Sequence, residues 1–134
     1  MIDVLIIDKT EQIKSLLLVE KARVQAFDDE VKALNAVEQM SSAVVLLHYN
    51  VREEQTEEYI GLIMQASSKS KVVIVADQLD ENAILKCLLA GAKGYQKISQ
   101  LSDYAEKLVT VMNAGEAWIT RRMTATLLDS LRRQ

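Results

Sequence analysis

The sequence holds a single cysteine, no proline and no surplus of basic residues. One thiol, Cys87, cannot staple a domain, and the absence of a pairing partner fits a reducing compartment. A reactive thiol would want a nearby positive charge or a helix N-terminus. Cys87 lies inside an apolar helical pattern and is read as a small buried hydrophobe. A formal net charge of −3 leaves no basic face to hold phosphates, which sets aside direct nucleic-acid binding by this segment. No apolar run approaches the ~20 residues of a membrane span. The opening residues, Met1 to Asp8, lack the basic flank and cleavage site of a secretory signal. A cytoplasmic protein without membrane contact is therefore expected. Internal repeats, low-complexity tracts, phosphate-cradling glycine loops and paired nucleophile–base residues are also missing. The chain is not expected to be an enzyme, and its residues imply no cofactor and no metal.

What is present is an ordinary globular composition, 49% hydrophobic and 26% charged. A length of 134 residues suits one domain with a substantial core. Short apolar runs read as strands buried on both faces: Ile2 to Ile7, ending at Asp8; Ala43 to Leu47, ending at His48-Tyr49-Asn50; and Lys71 to Ala76, ending at Asp77. Weaker runs cover Arg23 to Phe27 and Lys93 to Ile98. Helical periodicity fills the gaps. Ile13, Leu16 and Leu17 mark a first helix; Ala33, Ala36, Val37 and Met40 a second behind Asp28-Asp29; Ile60, Ile63 and Met64 a third. Ile84, Cys87 and Leu88 define a fourth, capped by Asp80 and stopped at Gly91. A fifth puts Leu101, Tyr104, Ala105, Leu108, Val109 and Met112 on one face, with Ser102 or Asp103 as its cap. After Asn113-Ala114-Gly115, Thr120 can cap a last helix carrying Met123, Leu127, Leu128 and Leu131. Glu53, Glu54, Glu57 and Glu58 read as a solvated helix start.

Strict alternation of strand and helix predicts an α/β fold: a doubly wound, flavodoxin-like parallel sheet of five strands, followed by a C-terminal helix. Function in such folds gathers at the carboxyl ends of the strands. The residues placed there are Asp8, Lys9, His48, Tyr49, Asn50, Ala76, Asp77, Tyr95 and Ile98.

Several of these residues carry a resemblance. Ile6-Ile7-Asp8-Lys9, Val44-Val45-Leu46-Leu47-His48-Tyr49-Asn50 and Ala90-Gly91-Ala92-Lys93-Gly94-Tyr95 resemble the strand ends of bacterial response-regulator receiver domains, which have the CheY-like fold. Ala114-Gly115-Glu116-Ala117-Trp118-Ile119-Thr120-Arg121 resembles the NarL/FixJ group, in which a receiver is followed by a linker helix and a LuxR-type helix-turn-helix. The resemblance covers almost the whole chain, and the second strand with its preceding helix is shortened. It implies a receiver-like domain over residues 1–115 and an extension over 116–134 leading to an output domain outside this sequence. DNA would be reached only through that output domain.

A working receiver phosphorylates an aspartate. Two acids and the acceptor carboxylate hold Mg²⁺, while a lysine and a hydroxyl stabilise the transferred group. By resemblance, Asp8 retains the first acid and Lys9 replaces the second. His48 falls at the acceptor, Ala76 at the hydroxyl residue and Ile98 at the lysine, while Tyr95 keeps the switch aromatic. Lys97 neighbours the lysine position, but alternation turns it to the opposite side. Val51-Arg52-Glu53-Glu54 also replaces the usual Pro-Gly turn. The resemblance therefore implies a pseudo-receiver that cannot take aspartyl phosphate.

Lys9 either pairs with Asp8 in place of the metal or points to solvent. His48 is a nitrogen phosphoacceptor, a pH switch, a metal ligand or, preferably, a hydrogen-bonded strand end. Tyr95 is expected in a constitutive geometry, with room behind its ring at Ala76. Leu85 and Leu89 offer a partner or dimer surface or are covered by the neighbouring helix, and Leu127, Leu128 and Leu131 pack back, self-associate or serve as a linker. The expected function is regulatory: control of transcription through dimerisation or a regulatory protein partner. A small-molecule sensor using the pocket between Asp8, His48, Ala76 and Tyr95 or a dimer surface, a stand-alone interaction adaptor, and a small enzyme are the alternatives.

Overall fold

The computed structural model describes residues 1–133. Its strands are β1 (Ile2–Ile7), β2 (Ala22–Phe27), β3 (Val44–His48), β4 (Lys71–Ala76) and β5 (Gly94–Lys97). They form one parallel sheet in the order β2-β1-β3-β4-β5. The helices are α1 (Gln12–Leu16), α2 (Glu30–Gln39), α3 (Thr56–Ala66), α4 (Glu81–Ala90), α5 (Leu101–Asn113) and α6 (Arg121–Arg132). This is the doubly wound, flavodoxin-like architecture expected from the alternation of elements.

The two-residue period of the strands divides the core. Leu5, Ile7, Val45, Leu47, Val72 and Ile74 face Ala33 and Val37 of α2, Ile60 and Ile63 of α3, and Ile84 and Cys87 of α4. Val4, Ile6, Val44, Leu46, Val73 and Val75 face the opposite way, toward Ile13 of α1 and Leu101, Leu108 and Met112 of α5. Both faces of the central strands are thus covered, which is why they read as unbroken apolar runs. Each fully buried Leu or Ile contributes about 1.5–3 kcal/mol relative to exposure.

Local chemistry sets most of the helix ends. The Asp29 carboxylate accepts from the N–H groups of Val31 and Lys32, and Asp80 accepts from Ala83. Gly91 closes α4 at φ 127°, where a Cβ would also lie 2.9 Å from Met64 Cγ. The caps expected for α5 are corrected. The helix starts at Leu101, straight from a 3₁₀ turn over Ile98–Gln100, and uses no side-chain cap. Tyr104 is corrected too: it lies off the buried face, 45% exposed, with its ring edge-to-face on Trp118. Glu57 and Glu58 lie exposed in the first turn of α3, as expected, and Arg52 reaches Glu58 at 3.7 Å while binding Glu30 and lying over the Tyr59 ring. The first helix is only five residues long, and the inner residues of β2, Arg23 to Ala26, stay exposed.

Beyond α5 the chain turns at Gly115 (φ 85°) and returns along β5. Trp118 N–H donates to the Lys93 carbonyl (2.9 Å), and Tyr95 N–H donates to the Trp118 carbonyl (3.1 Å). Thr120 then caps α6, which lays Met123 into the core and pairs Arg122 with Glu81 of α4 at 3.1 Å. Only glycine fits at position 94, where a Cβ would meet both Trp118 Cβ and its carbonyl at 2.8 Å.

Candidate functional site

Register brings the candidate residues to one end of the sheet. Ile7 pairs with Leu47, so Asp8 emerges level with His48; His48 pairs with Val75, and Ala76 pairs with Lys97. Asp8, His48, Ala76 and the turn after β5 therefore share an edge, as a parallel sheet requires.

Asp8 is buried and fully engaged. Its Oδ1 accepts from the Thr10 N–H (2.9 Å), the Thr10 hydroxyl (2.9 Å) and Asn50 Nδ2 (3.1 Å), and its Oδ2 accepts from the Ile13 N–H (3.0 Å). Burial alone would raise the carboxyl pKa. The hydrogen bonds from Ile13, Thr10 and Asn50 outweigh it and leave the group below its ordinary value. Asp8 is therefore an ionised anchor for the turn into α1. Asn50 donates to Asp8 through its amide nitrogen, so its Oδ1 is buried without a partner.

His48 ends β3, and its Nδ1 accepts from the Asn50 N–H at 3.1 Å. A backbone N–H can only donate, so Nδ1 is unprotonated and the ring proton sits on Nε2. That nitrogen donates to Gln12 Oε1 at 3.1 Å. Burial holds the imidazole pKa below its ordinary value, against the upward pull of Asp8 and Asp77. Both ring nitrogens are thus committed to fixing the turn over Tyr49–Val51 and tying it to α1.

Lys9 is exposed, and no ion pair joins it to Asp8 among the described residues. Ala76 is buried at the end of β4, where its carbonyl accepts weakly from the Tyr95 hydroxyl at 3.4 Å. Ile98 belongs to the core face beside Leu101 and Leu108. Lys97 is exposed beside it. On the helices, Leu85 and Leu127 are half-buried against the core, whereas Leu89, Leu128 and Leu131 are 41–51% exposed. Thr10 and Gln12 complete the network and carried no expectation from sequence. The Asp8-Lys9-Thr10 spacing, typical of a turn in which a carboxylate accepts from the backbone two residues on, was the available signal.

These residues do not fit a divalent ion. The oxygens Asp8 would offer already accept hydrogen bonds, a lysine follows it, and the next strand end presents an imidazole bound on both nitrogens. Among the described residues no group of three or more His, Cys, Asp or Glu side chains could hold a metal. Likewise, no helix among them is long and apolar enough to cross a membrane.

No family model matches the chain, and no curated protein does. Solved structures do. The isolated REC domain of RcsB from Salmonella enterica serovar Typhimurium superposes with a TM-score of 0.78 at 16% identity, covering 96% of this chain and 99% of that one. This is the fold of response-regulator receiver domains. The signal receiver domain of a NarL response regulator from Mycobacterium tuberculosis has the same fold, with a TM-score of 0.71 at 17% identity over 86% of this chain and 98% of that one. So does a LuxR family DNA-binding response regulator from Silicibacter pomeroyi (TM-score 0.68, 20% identity, 91% and 99% covered). On this receiver fold, the edge where the strands end carries a closed hydrogen-bond network.

Proposed function

We propose that this domain is a pseudo-receiver of a response regulator of the LuxR-type group, regulating transcription through protein contacts without aspartyl phosphorylation. The observation that carries the reading is the state of the pocket. Asp8 accepts four internal hydrogen bonds, His48, assigned to the acceptor position by resemblance, has both nitrogens engaged, and Ile98, assigned by resemblance to the clamp position, is buried. Phosphoryl transfer is catalysed almost entirely by positioning and charge neutralisation. By the resemblance, this pocket lacks the acceptor carboxylate, the second metal-binding acid and the clamping lysine, so it supplies neither. On this reading the domain is non-enzymatic and cytoplasmic, and its geometry is constitutive. DNA would be met only by an output domain outside this sequence.

The partner surface proposed is the pair of helices α4 and α6, where Leu89, Leu128 and Leu131 remain exposed while Leu85 and Leu127 pack inward. A second copy of the chain is the proposed occupant. The test of the central claim is incubation with excess acetyl phosphate, or beryllofluoride, with Mg²⁺, followed by intact mass and amide NMR. Unchanged mass and unshifted Asp8, His48 and Tyr95 resonances are expected. Saturable phosphorylation, or Mg²⁺-dependent shifts at those residues, would overturn it.

A further inference from the structure

Apart from the strand-end network, a cleft of about 540 Å³ opens beside Tyr95, between β5, α5 and the segment around Trp118. That volume lies within the range of about 300–1,000 Å³ typical of small-molecule sites. β5 forms one wall, the start of α5 a second, and the returning segment around Trp118 a third. The chain has only one Phe, one Trp and four Tyr, and Tyr95, Tyr104 and Trp118 all line this cleft. Three of the six aromatic side chains thus gather in one partly exposed cleft, while Tyr59 is fully buried in the core.

The walls are also held in place. Trp118 Nε1 donates to Oε1 of the buried Gln96 at 2.9 Å, and Gln96 Nε2 donates to the Lys97 carbonyl at 3.0 Å. Tyr104 meets the indole edge-on, with ring centroids 6.3 Å apart and planes inclined by 61°. Aromatic faces fixed in this way bind a flat ring with little ordering cost. Lys97 is the one charged residue lining the cleft, and it forms no salt bridge among the described residues. Gln100 and Thr120 add polar groups on the rim.

We propose that this cleft is a binding site for a small planar aromatic carboxylate, its ring against Tyr104 and Trp118 and its anion toward Lys97. The inference goes beyond the contact-module reading and stands whether or not the domain is phosphorylated. It also moves ligand sensing from the strand-end pocket to the cleft beside Trp118.

The test titrates the full chain with 2-naphthoate, using 2-naphthalenemethanol as the uncharged ring and acetate as the anion without a ring. Trp118 supplies the single indole N–H resonance of the protein, a direct reporter of the cleft. The expected result is saturable shifts at that resonance and at Tyr95, Lys97 and Gln100, with no response to acetate. The carboxylate should bind about fivefold tighter than the alcohol, as an exposed ion pair allows. Lys97→Gln should abolish that preference and keep ring binding. Tyr104→Ala, at a position 45% exposed and outside the buried core, should weaken both ring ligands. The proposal is overturned by no saturation up to about 10 mM, a free energy too weak for a built site. It is equally overturned by shifts centred on α4 and α6, or by equal affinity for acid and alcohol.

Discussion

Replacing Asp8 by alanine separates an anchor from a metal ligand by the sign of the stability change. The carboxylate accepts four hydrogen bonds, two from backbone N–H groups, one from a hydroxyl and one from an amide. Hydrogen bonds to a charged group are worth about 1.5–3 kcal/mol each, and each buried donor left unpaired costs about 1–3 kcal/mol. Water can reach Thr10, which is exposed, but not the Ile13 N–H, whose bond to Asp8 is buried. Removing the burial cost of the carboxylate itself offsets part of the loss. A net destabilisation of about 3 kcal/mol follows. In a urea titration with a slope of about 1.5 kcal/mol/M, the midpoint should fall by about 2 M. Asp8→Asn should lose most of the same amount, because one oxygen becomes a donor facing donors. A carboxylate held in an acidic metal pocket behaves oppositely, since neutralising it relieves repulsion and raises the midpoint. A midpoint that rises in either variant, or a wild-type midpoint that climbs with Mg²⁺, refutes the reasoning. The pH dependence adds a second check. The folded-state pKa lies below the ordinary 3.8, so the contribution is complete above that value and disappears as pH falls through the folded pKa. The gap between wild type and Asp8→Asn should close in that acid range.

Other outcomes follow from the same geometry. His48 is held below its ordinary 6.5, so the unfolded chain takes up the proton first. Its contribution is full above that pH and is lost as pH falls toward the folded value, so wild type should lose stability relative to His48→Gln over that interval, measured by urea midpoints. Gly94→Ala forces a Cβ against the Trp118 backbone and should cost about 2 kcal/mol. Trp118 fluorescence in that variant should shift to the red as its segment lifts from β5. If α4 and α6 form the dimer face, Leu128→Glu with Leu131→Glu should convert dimer to monomer in sedimentation. Both side chains are about half exposed, so stability should change by only about 0.5 kcal/mol each.

The sheet was legible because its central strands are buried on both faces and carry few polar residues, and because Asp29, Asp80 and Gly91 mark helix ends with ordinary cap chemistry. Tyr104 misled because amphipathic periodicity cannot register a partner arriving from Trp118, fourteen residues on. The start of α5 misled because a 3₁₀ turn supplies the entry that a capping side chain usually gives. At the strand ends, sequence named Asp8, His48 and Asn50 but not what they bind. The Gln12–His48 bond spans 36 residues and the Asn50–Asp8 bond 42, distances over which only the folded register brings partners together. Residue type named the positions at the strand ends; the geometry of Thr10, Gln12 and Asn50 showed how Asp8 and His48 are held.

The return of Trp118 along β5 bears on how this chain avoids sticking to itself in the wrong way. An uncovered terminal strand presents free N–H and C=O groups to any passing chain and templates aggregation. On one side of the sheet β2 is guarded by Arg23, paired with Asp3, and by Gln25. On the other, the hydrogen bonds from Trp118 to Lys93 and from Tyr95 to Trp118 use up part of the β5 edge internally. A fragment cut after Gly115 would expose that edge while keeping the rest of the sheet, and its clumping would reflect a lost seal rather than a biological interface.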